Sequence, residues 1–410
     1  MLLLYRMSVW LYALIVRVIA PFHRRAGQFI SQRKGIFERL ESDFRNHEGK
    51  LIWIHCASLG EYEQAKPVLG LLQERRPSVK VLLTFFSPSG LLAFKDQELV
   101  DYLHYLPLDA RGNASRFLET VRPNLAIFIK YELWYYYLMA LNARNIPLLL
   151  VSGIFRRSQI FFHPMGKFYL TALSTVNHFF LQDDYSAALL RSRRIRAYTV
   201  AGDTRFDRVL EVANAAGEVP LVEAFRGNEK LIVMGSVWPS DMKYLLPIVE
   251  ANHDRFKFII APHQVGDLRI YEKIHASAKY SESNEGSAST LRVLIIDNYG
   301  MLSKLYRYAD YAIVGGAFRG ALHNVLEPAV YGIPVFFGAD ASNEKFIEAI
   351  ELVKHGGGFT YENSADLQSK LDEMTNDADL YQEVCRLSRT YVSARTGASG
   401  QVMKKIEELI

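Results

Sequence analysis

Cysteine is nearly absent: Cys56 and Cys385 are the only two in 410 residues. That is too few and too widely spaced for a disulfide framework or a metal knuckle, and a reducing cytoplasm is the simplest setting. The chain has no G-x-x-x-x-G-K-[ST] loop, and Gly315-Gly316-Ala317-Phe318-Arg319-Gly320 is not the G-x-G-x-x-G fingerprint. Kinase, ATPase and dehydrogenase chemistry lose weight accordingly. No H-E-x-x-H stretch or cysteine-rich cluster suggests zinc, and Asp377-Ala378-Asp379, coming after Asn376, reads as a helix start. A transferase that needs no metal or other cofactor fits these gaps. Long apolar runs are also missing from the N-terminus, where the longest charge-free stretch, Met7 to Val16, is ten residues. Ten residues of helix cannot cross about 30 Å of hydrocarbon.

What is present is an ordinary globular composition, half hydrophobic, with a net charge of +4. The basicity is local. Residues 1–50 carry nine Lys or Arg against four Asp or Glu, a balance of +5, which leaves the remaining 360 residues at −1. This argues against a protein-wide nucleic-acid surface and for a basic end that meets anionic lipid. Residues 2–20 are apolar apart from Arg6, Ser8 and Arg17, include Tyr5, Trp10 and Tyr12, and lead into Arg24, Arg25, Arg33 and Lys34. The pattern suits a helix lying in the membrane interface. A secretory signal fits less well, since Arg17 interrupts the apolar region and no clear small-residue cleavage site follows. Burial of this helix on the protein itself is the remaining alternative.

From Leu51 a strand-then-helix rhythm begins. Leu51–Ile54, Val79–Phe86, Leu125–Ile129, Leu148–Val151 and His178–Leu181 are apolar strand candidates with helical patterns between them. Polar, irregular sequence over 212–228 then breaks the pattern. A second series follows at Leu231–Met234, Phe256–Ala261, Leu291–Ile296, Tyr311–Val314 and Val335–Phe337. Apolar strands alternating with helices imply parallel sheets covered on both faces. The expected division is an anchor over 1–34, a Rossmann-like domain over 35–211, a linker over 212–228 and a second Rossmann-like domain over 229–390. A C-terminal helix in 391–410 is expected to pack back on the first domain. Two doubly wound domains facing a cleft are the implied α/β architecture.

Candidate chemistry lies at the carboxyl ends of these strands, where open α/β sheets bind ligands. Ala57-Ser58-Leu59-Gly60-Glu61 places one carboxylate where a helix begins. Glu61 either complements the positive helix N-terminus or serves as a general base toward an acceptor hydroxyl. Pro262-His263-Gln264 offers side chains able to hydrogen-bond a base or phosphate. Asn298 before Tyr299-Gly300-Met301-Leu302 marks a helix start whose free N–H groups suit a phosphate, or a plain N-cap. In the stretch from Val314 to Glu344, Gly315 and Gly316 suit close ligand approach, and a helix is expected from Val325 to Gly332. Asn324 and Glu327 are spaced as a capping box and equally as ligand contacts.

Taken together, four pieces resemble the 3-deoxy-D-manno-octulosonic acid (Kdo) transferases, from the N-terminal anchor to the last helices. They are Trp53-Ile-His-Cys-Ala-Ser-Leu-Gly-Glu61; Tyr131-Glu-Leu-Trp134; Gly202-Asp-Thr-Arg-Phe-Asp207; and the run of Gly315-Gly316, His323-Asn-Val-Leu-Glu327 and Asn343-Glu-Lys-Phe346. The resemblance implies the two-domain GT-B fold and inverting transfer of Kdo from CMP-Kdo to a lipid A precursor, lipid IVA, at the cytoplasmic face of the inner membrane. It implies no metal. It makes Glu61 the proton acceptor, and Glu132 and Arg205 stabilisers of the transition state. It also places CMP on His263, Gln264, Gly300, Met301, Leu302, Asn324, Val325, Leu326 and Glu327, with Glu327 on the ribose. Departures accompany it. Many members have Lys where this chain has Arg205, Arg-His at His263-Gln264, Gly-Glu-Leu at Gly300-Met301-Leu302, and E-T-E-L-W-P-N at 130–136. A nucleotide-sugar 2-epimerase of the same fold, or a non-enzymatic peripheral membrane protein that binds a nucleotide sugar, are the competing readings.

Overall fold

The computed structural model describes residues 1–410 except Lys95, Pro164, Met165 and Asp267; the side chains of Ser89, Ala93 and Glu344 are also left undescribed. The chain forms two compact units, Met1–Arg208 with Thr396–Ile410, and Val209–Arg395.

The first unit is built on seven parallel strands: β1 (Leu51–Cys56), β2 (Lys80–Phe85), β3 (Tyr102–Tyr105), β4 (Leu125–Ile129), β5 (Leu148–Gly153), β6 (His178–Leu181) and β7 (Tyr198–Val200). Their order is β3-β2-β1-β4-β5-β6-β7. β1 and β4 are buried along their whole length, as an all-apolar strand must be when helices cover both faces. β1 pairs with β2 from Leu51↔Lys80 and with β4 from Ile52↔Leu125. The order runs outward in opposite directions from β1 and β4. Their carboxyl ends therefore flank the switch point, the place where such a sheet opens to a ligand.

The second unit repeats the plan with β8 (Lys230–Val237), β9 (Phe256–Pro262), β10 (Ser277–Lys279), β11 (Val293–Ile295), β12 (Tyr311–Val314), β13 (Val335–Gly338) and β14 (Gly358–Tyr361), in the order β10-β11-β9-β8-β12-β13-β14. Its switch point lies between β8 and β12.

All ten strands read from the sequence are present, most with ends moved by a residue or two. The four that periodicity does not reveal, β3, β7, β10 and β14, are the sheet edges. Edge strands are covered on fewer sides and so lack a continuous apolar run; β7 and β10 have no buried residue.

The N-terminal helix, Leu2–Ile19, buries none of its residues. One face of it, at Tyr5, Val9, Ala13 and Val16, is half-buried, and the other is open. Leu3, Met7, Trp10 and Val18 are each more than half exposed, and the helix is long and apolar enough to cross a membrane by length and composition.

Through residues 212–228 the backbone is helical to Asn214 and again over Pro220–Arg226. The last helix, Ala398–Leu409, belongs to the first unit. Its first turn has no side-chain cap of its own; the Asp207 carboxylate accepts from the N–H groups of Gly397 (2.5 Å) and Ser399 (2.7 Å) instead. Asp207→Ala leaves these donors without that acceptor and should lower unfolding stability by about 1–3 kcal/mol. Chemical denaturation measures this, and an unchanged midpoint would contradict the tie.

Candidate functional site

In the first unit, β1 ends at Cys56 and the helix Leu59–Arg75 begins three residues later, which puts Glu61 in its first turn. The side chain folds back so that Oε2 accepts from the Ala57 N–H at 2.5 Å, and only 7% of the residue is exposed. The helix has no side-chain cap at Ser58. Glu61 thus turns back to the residue just before its own N-cap, at the positive end of the helix.

β4, the neighbour of β1, ends at Ile129 and is followed by Lys130 in the left-handed conformation, φ 62°. A lysine there is uncommon and marks a constrained turn. The turn carries Glu132 to the same end of the sheet, its side chain 13% exposed.

Burial raises the affinity of both carboxyl groups for a proton, and their outcomes differ. For Glu61, burial is opposed by the Ala57 N–H, the Lys130 charge and the Ser58 N–H. For Glu132, burial is reinforced by the negative charge of Glu61, with Trp134 and Lys130 only partly offsetting it, and the pKa is pushed up to about 8. Two carboxyls that sense each other in a desolvated site cannot both be charged cheaply. Of the two, Glu132 is displaced further toward the protonated form.

His55, on β1, completes the cluster. Trp134 Nε1 donates to His55 Nε2 at 3.1 Å, and His55 Nδ1 lies 3.1 Å from the Thr84 carbonyl. An Nε2 that accepts and an Nδ1 that donates define a neutral ring. Burial also pushes its pKa down to about 3. The 3.9 Å approach of His55 Nε2 to Glu132 is therefore not an ion pair.

Arg205 reaches the same region by another route. Its guanidinium holds Asp203 through Nε (2.9 Å) and Nη2 (2.8 Å), and Gln64 Nε2 donates to Asp203 at 2.9 Å. Burial would raise Asp203, yet Arg205 and Gln64 hold it below the usual carboxylate range. Gln64 lies one helical turn beyond Glu61, so the Gly202–Asp207 segment is fastened to the helix that carries Glu61.

In the second unit, His263 follows β9 and stacks on Trp238, which follows β8 (centroids 4.0 Å, 24°). His323, in the loop after β12, lies 4.5 Å from His263. Arg319 covers the Trp238 ring at 4.4 Å. Burial and then Arg319 lower the His263 pKa; burial and then His263 push His323 down to about 4. Both imidazoles are neutral at pH 7, and Arg319 is the cation of the group. Gln264 is exposed beside them. The Tyr299 hydroxyl accepts from Val265 N–H at 3.4 Å, which joins the β9 and β11 loops.

Three expectations need correction here. The expected helix start at Asn298 is not formed: residues 298–300 are bends, Gly300 is left-handed at φ 92°, and the helix is a single turn, Leu302–Leu305, begun at Met301. The helix expected to run from Val325 to Gly332 is likewise one turn, Leu326–Ala329. The Asn324–Glu327 capping box is replaced by an Asx turn: Asn324 Oδ1 accepts from Leu326 N–H (3.1 Å), and Asn324 Nδ2 donates to Glu327 (3.3 Å). Val325 and Leu326 are buried, so what they can offer a ligand is backbone. The space beside Gly315 is taken by protein, since a Cβ there would lie 2.5 Å from the Ser236 carbonyl and 2.8 Å from Asp241. Asp241 uses that closeness to accept from Gly316 and Trp238 N–H, both at 2.9 Å.

His55, Trp134, Trp238, Arg319 and Asp241 were not singled out from the sequence as site residues. A signal existed for some of them: each sits within a few residues of the carboxyl end of a strand next to a switch point.

The Glu132 proton has a thermodynamic consequence. Its folded pKa, about 8, lies above its unfolded value, so the native state binds more protons between these two values and loses stability as pH rises through that window. In Glu132→Gln this loss should shrink, and the gap in melting temperature between pH 6 and pH 9 should narrow relative to the parent. An equal gap in both proteins would place the proton elsewhere.

Residues 30–208 match the family model of 3-deoxy-D-manno-octulosonic-acid transferase (kdotransferase). The 3-deoxy-D-manno-octulosonic acid transferase of Aquifex aeolicus (strain VF5) is 27% identical over 343 residues, 82% of this chain and 88% of the relative. That of Bordetella pertussis is 26% identical over 386 residues, 87% of each. Among solved structures, the UDP-GlcNAc 2-epimerase of Neisseria meningitidis bound to UDP-GlcNAc has a TM-score of 0.60 at 15% identity, covering 88% of this chain and all, 100%, of that one. Acinetobacter baumannii MurG has a TM-score of 0.54 at 13% identity, with coverage of 88% and 100%. At such identities the likeness is one of fold, the GT-B fold of two Rossmann-like sheets. The first unit thus matches the Kdo transferase family model, and relatives of that name are similar to more than four-fifths of the chain.

Proposed function

We propose that the protein is an inverting, metal-independent glycosyltransferase that moves Kdo from CMP-Kdo to the lipid A precursor lipid IVA at the cytoplasmic face of the inner membrane. The observation that carries this reading is the buried pair of carboxyls that follow adjacent strands, with Glu132 pushed toward the protonated form by burial and by the charge of Glu61. Glu61 takes the proton from an acceptor hydroxyl as that oxygen attacks the anomeric carbon of Kdo. CMP leaves from the opposite side, and the configuration inverts. One base is enough for such a displacement. Protonated Glu132 supplies a hydrogen bond to charge developing nearby without adding a second negative group. Arg205, fixed by Asp203, contributes positive charge to the transition state.

On the donor side, CMP is assigned to the loops after β9, β11 and β12: His263 and Gln264, the backbone of Gly300, Met301 and Leu302, and Asn324 to Glu327, with Glu327 at the ribose. Two neutral imidazoles give a phosphate hydrogen bonds and no charge. Arg319 supplies that charge, in the role of the arginine that many members of the family carry at the position of His263. The exposed apolar face of the Leu2–Ile19 helix, with the basic residues around it, suits attachment to anionic lipid.

Incubation with CMP-Kdo and lipid IVA, followed by mass analysis, should show Kdo added, and the addition should persist in excess chelator. Glu61→Gln should fold and bind CMP as the parent does while losing about 10²–10⁴-fold in transfer rate; near-normal turnover would remove the proposed base. Arg319→Ala should weaken CMP binding by about tenfold or more, a charge-assisted phosphate contact being lost. Unchanged affinity by calorimetry would reject that assignment.

A further inference from the structure

The anchor helix is tied to the first unit at two points, and both ties lead to the turn that carries Glu132. The first is Tyr5. Its hydroxyl donates to Asp109, and its ring lies among Tyr135, Tyr136, Phe168 and Tyr169 at 5.5–6.1 Å. Asp109 is 2% exposed and accepts from Tyr136 N–H (3.1 Å) and Tyr137 N–H (3.2 Å). Those are the first-turn donors of the helix Tyr135–Ala143, which has no side-chain cap at Trp134. Asp109, far away in the chain, caps this helix with a charge at its positive end.

The second tie is Tyr12, seven residues on and so on the same face of the anchor helix. Its ring lies 6.3 Å from Phe86, which stacks on Trp134 at 4.6 Å. Trp134 in turn donates to His55. Glu132 stands between the left-handed Lys130 and Trp134, so its position is set by a constrained turn on one side and by these two ties on the other.

We infer that the anchor helix is a positioning element of the catalytic apparatus as well as a membrane attachment, with Tyr5 and Tyr12 holding the Glu132 turn in its working geometry. Seating the helix and assembling the site are then one event: a chain whose helix is dislodged keeps its fold and its donor site but loses the alignment of Glu132. The opposite face of the same helix, with Leu3 and Val18 64% and 63% exposed, is left for lipid. The activity arm of the test rests on the transferase reading; the exchange arm does not.

Tyr5→Phe, Tyr12→Ala, Tyr12→Phe and the double variant Leu3→Gln/Val18→Gln separate the two roles. In detergent with saturating lipid IVA, where membrane delivery does not limit, Tyr5→Phe and Tyr12→Ala should lower kcat by about tenfold or more, as small misplacements of catalytic groups do. The KM for CMP-Kdo should stay within about twofold of the parent, since the donor loops are untouched. Tyr12→Phe, which keeps the ring, should restore the rate. Leu3→Gln/Val18→Gln should leave anionic vesicles yet keep the parent kcat. Amide hydrogen exchange over 130–137 should quicken in Tyr5→Phe and Tyr12→Ala and stay unchanged in the lipid-face variant. If the parent transfers no Kdo, the function proposed above fails, and exchange alone decides this inference. Parent-like exchange in Tyr5→Phe and Tyr12→Ala, or parent-like kcat in both, would overturn it.

Discussion

Two buried carboxyls, the charge of one raising the proton affinity of the other, govern the first unit. Glu61 and Glu132 are brought to the ends of adjacent strands by the order of the sheet, and desolvation makes a double negative charge there expensive. Which group takes a proton more readily is settled by backbone. Glu61 receives N–H donors from its own helix start, whereas Glu132 has Trp134 and a neutral His55 around it. The start of a helix thus supplies N–H donors that oppose the effect of burial on Glu61.

The surrounding structure works to keep that division fixed. Gln64, one turn along the Glu61 helix, joins it to Asp203 and Arg205, and Asp207 of the same segment fastens the C-terminal helix. On the other side, Asp109 and Phe86 connect the Glu132 turn to the anchor helix. The second unit gathers groups of another kind. Two imidazoles kept neutral by burial lie beside a single guanidinium.

Much of this was legible from residue patterns, and the gaps have physical reasons. Buried central strands announce themselves as continuous apolar runs; β3, β7, β10 and β14 do not, because they lie at the sheet edges and need no such run. Glu61 was readable from its place after β1. The neutral state of His55 and the capping by Asp109 were not, since each depends on residues distant in sequence, Thr84 and Trp134 for one, Tyr5 and Tyr136 for the other. The glycines at 315 and 316 signal close approach, and the approaching atoms belong to the protein, to Ser236 and Asp241 at Gly315 and to Ala321 and His323 at Gly316. Helix starts after β11 and β12 were expected too early because an Asn in a turn and an Asn at a cap look alike in sequence.

The protonation of the carboxyl pair is the point on which the chemistry turns, and infrared difference spectroscopy reads it directly. Spectra of the parent at pH 7 against Glu132→Gln should show one protonated carboxyl band lost in the variant, with the Glu61→Gln difference showing loss of a carboxylate band. A protonated band that disappears on changing Glu61 while Glu132 contributes a carboxylate would reverse the roles of acid and base and contradict the mechanism.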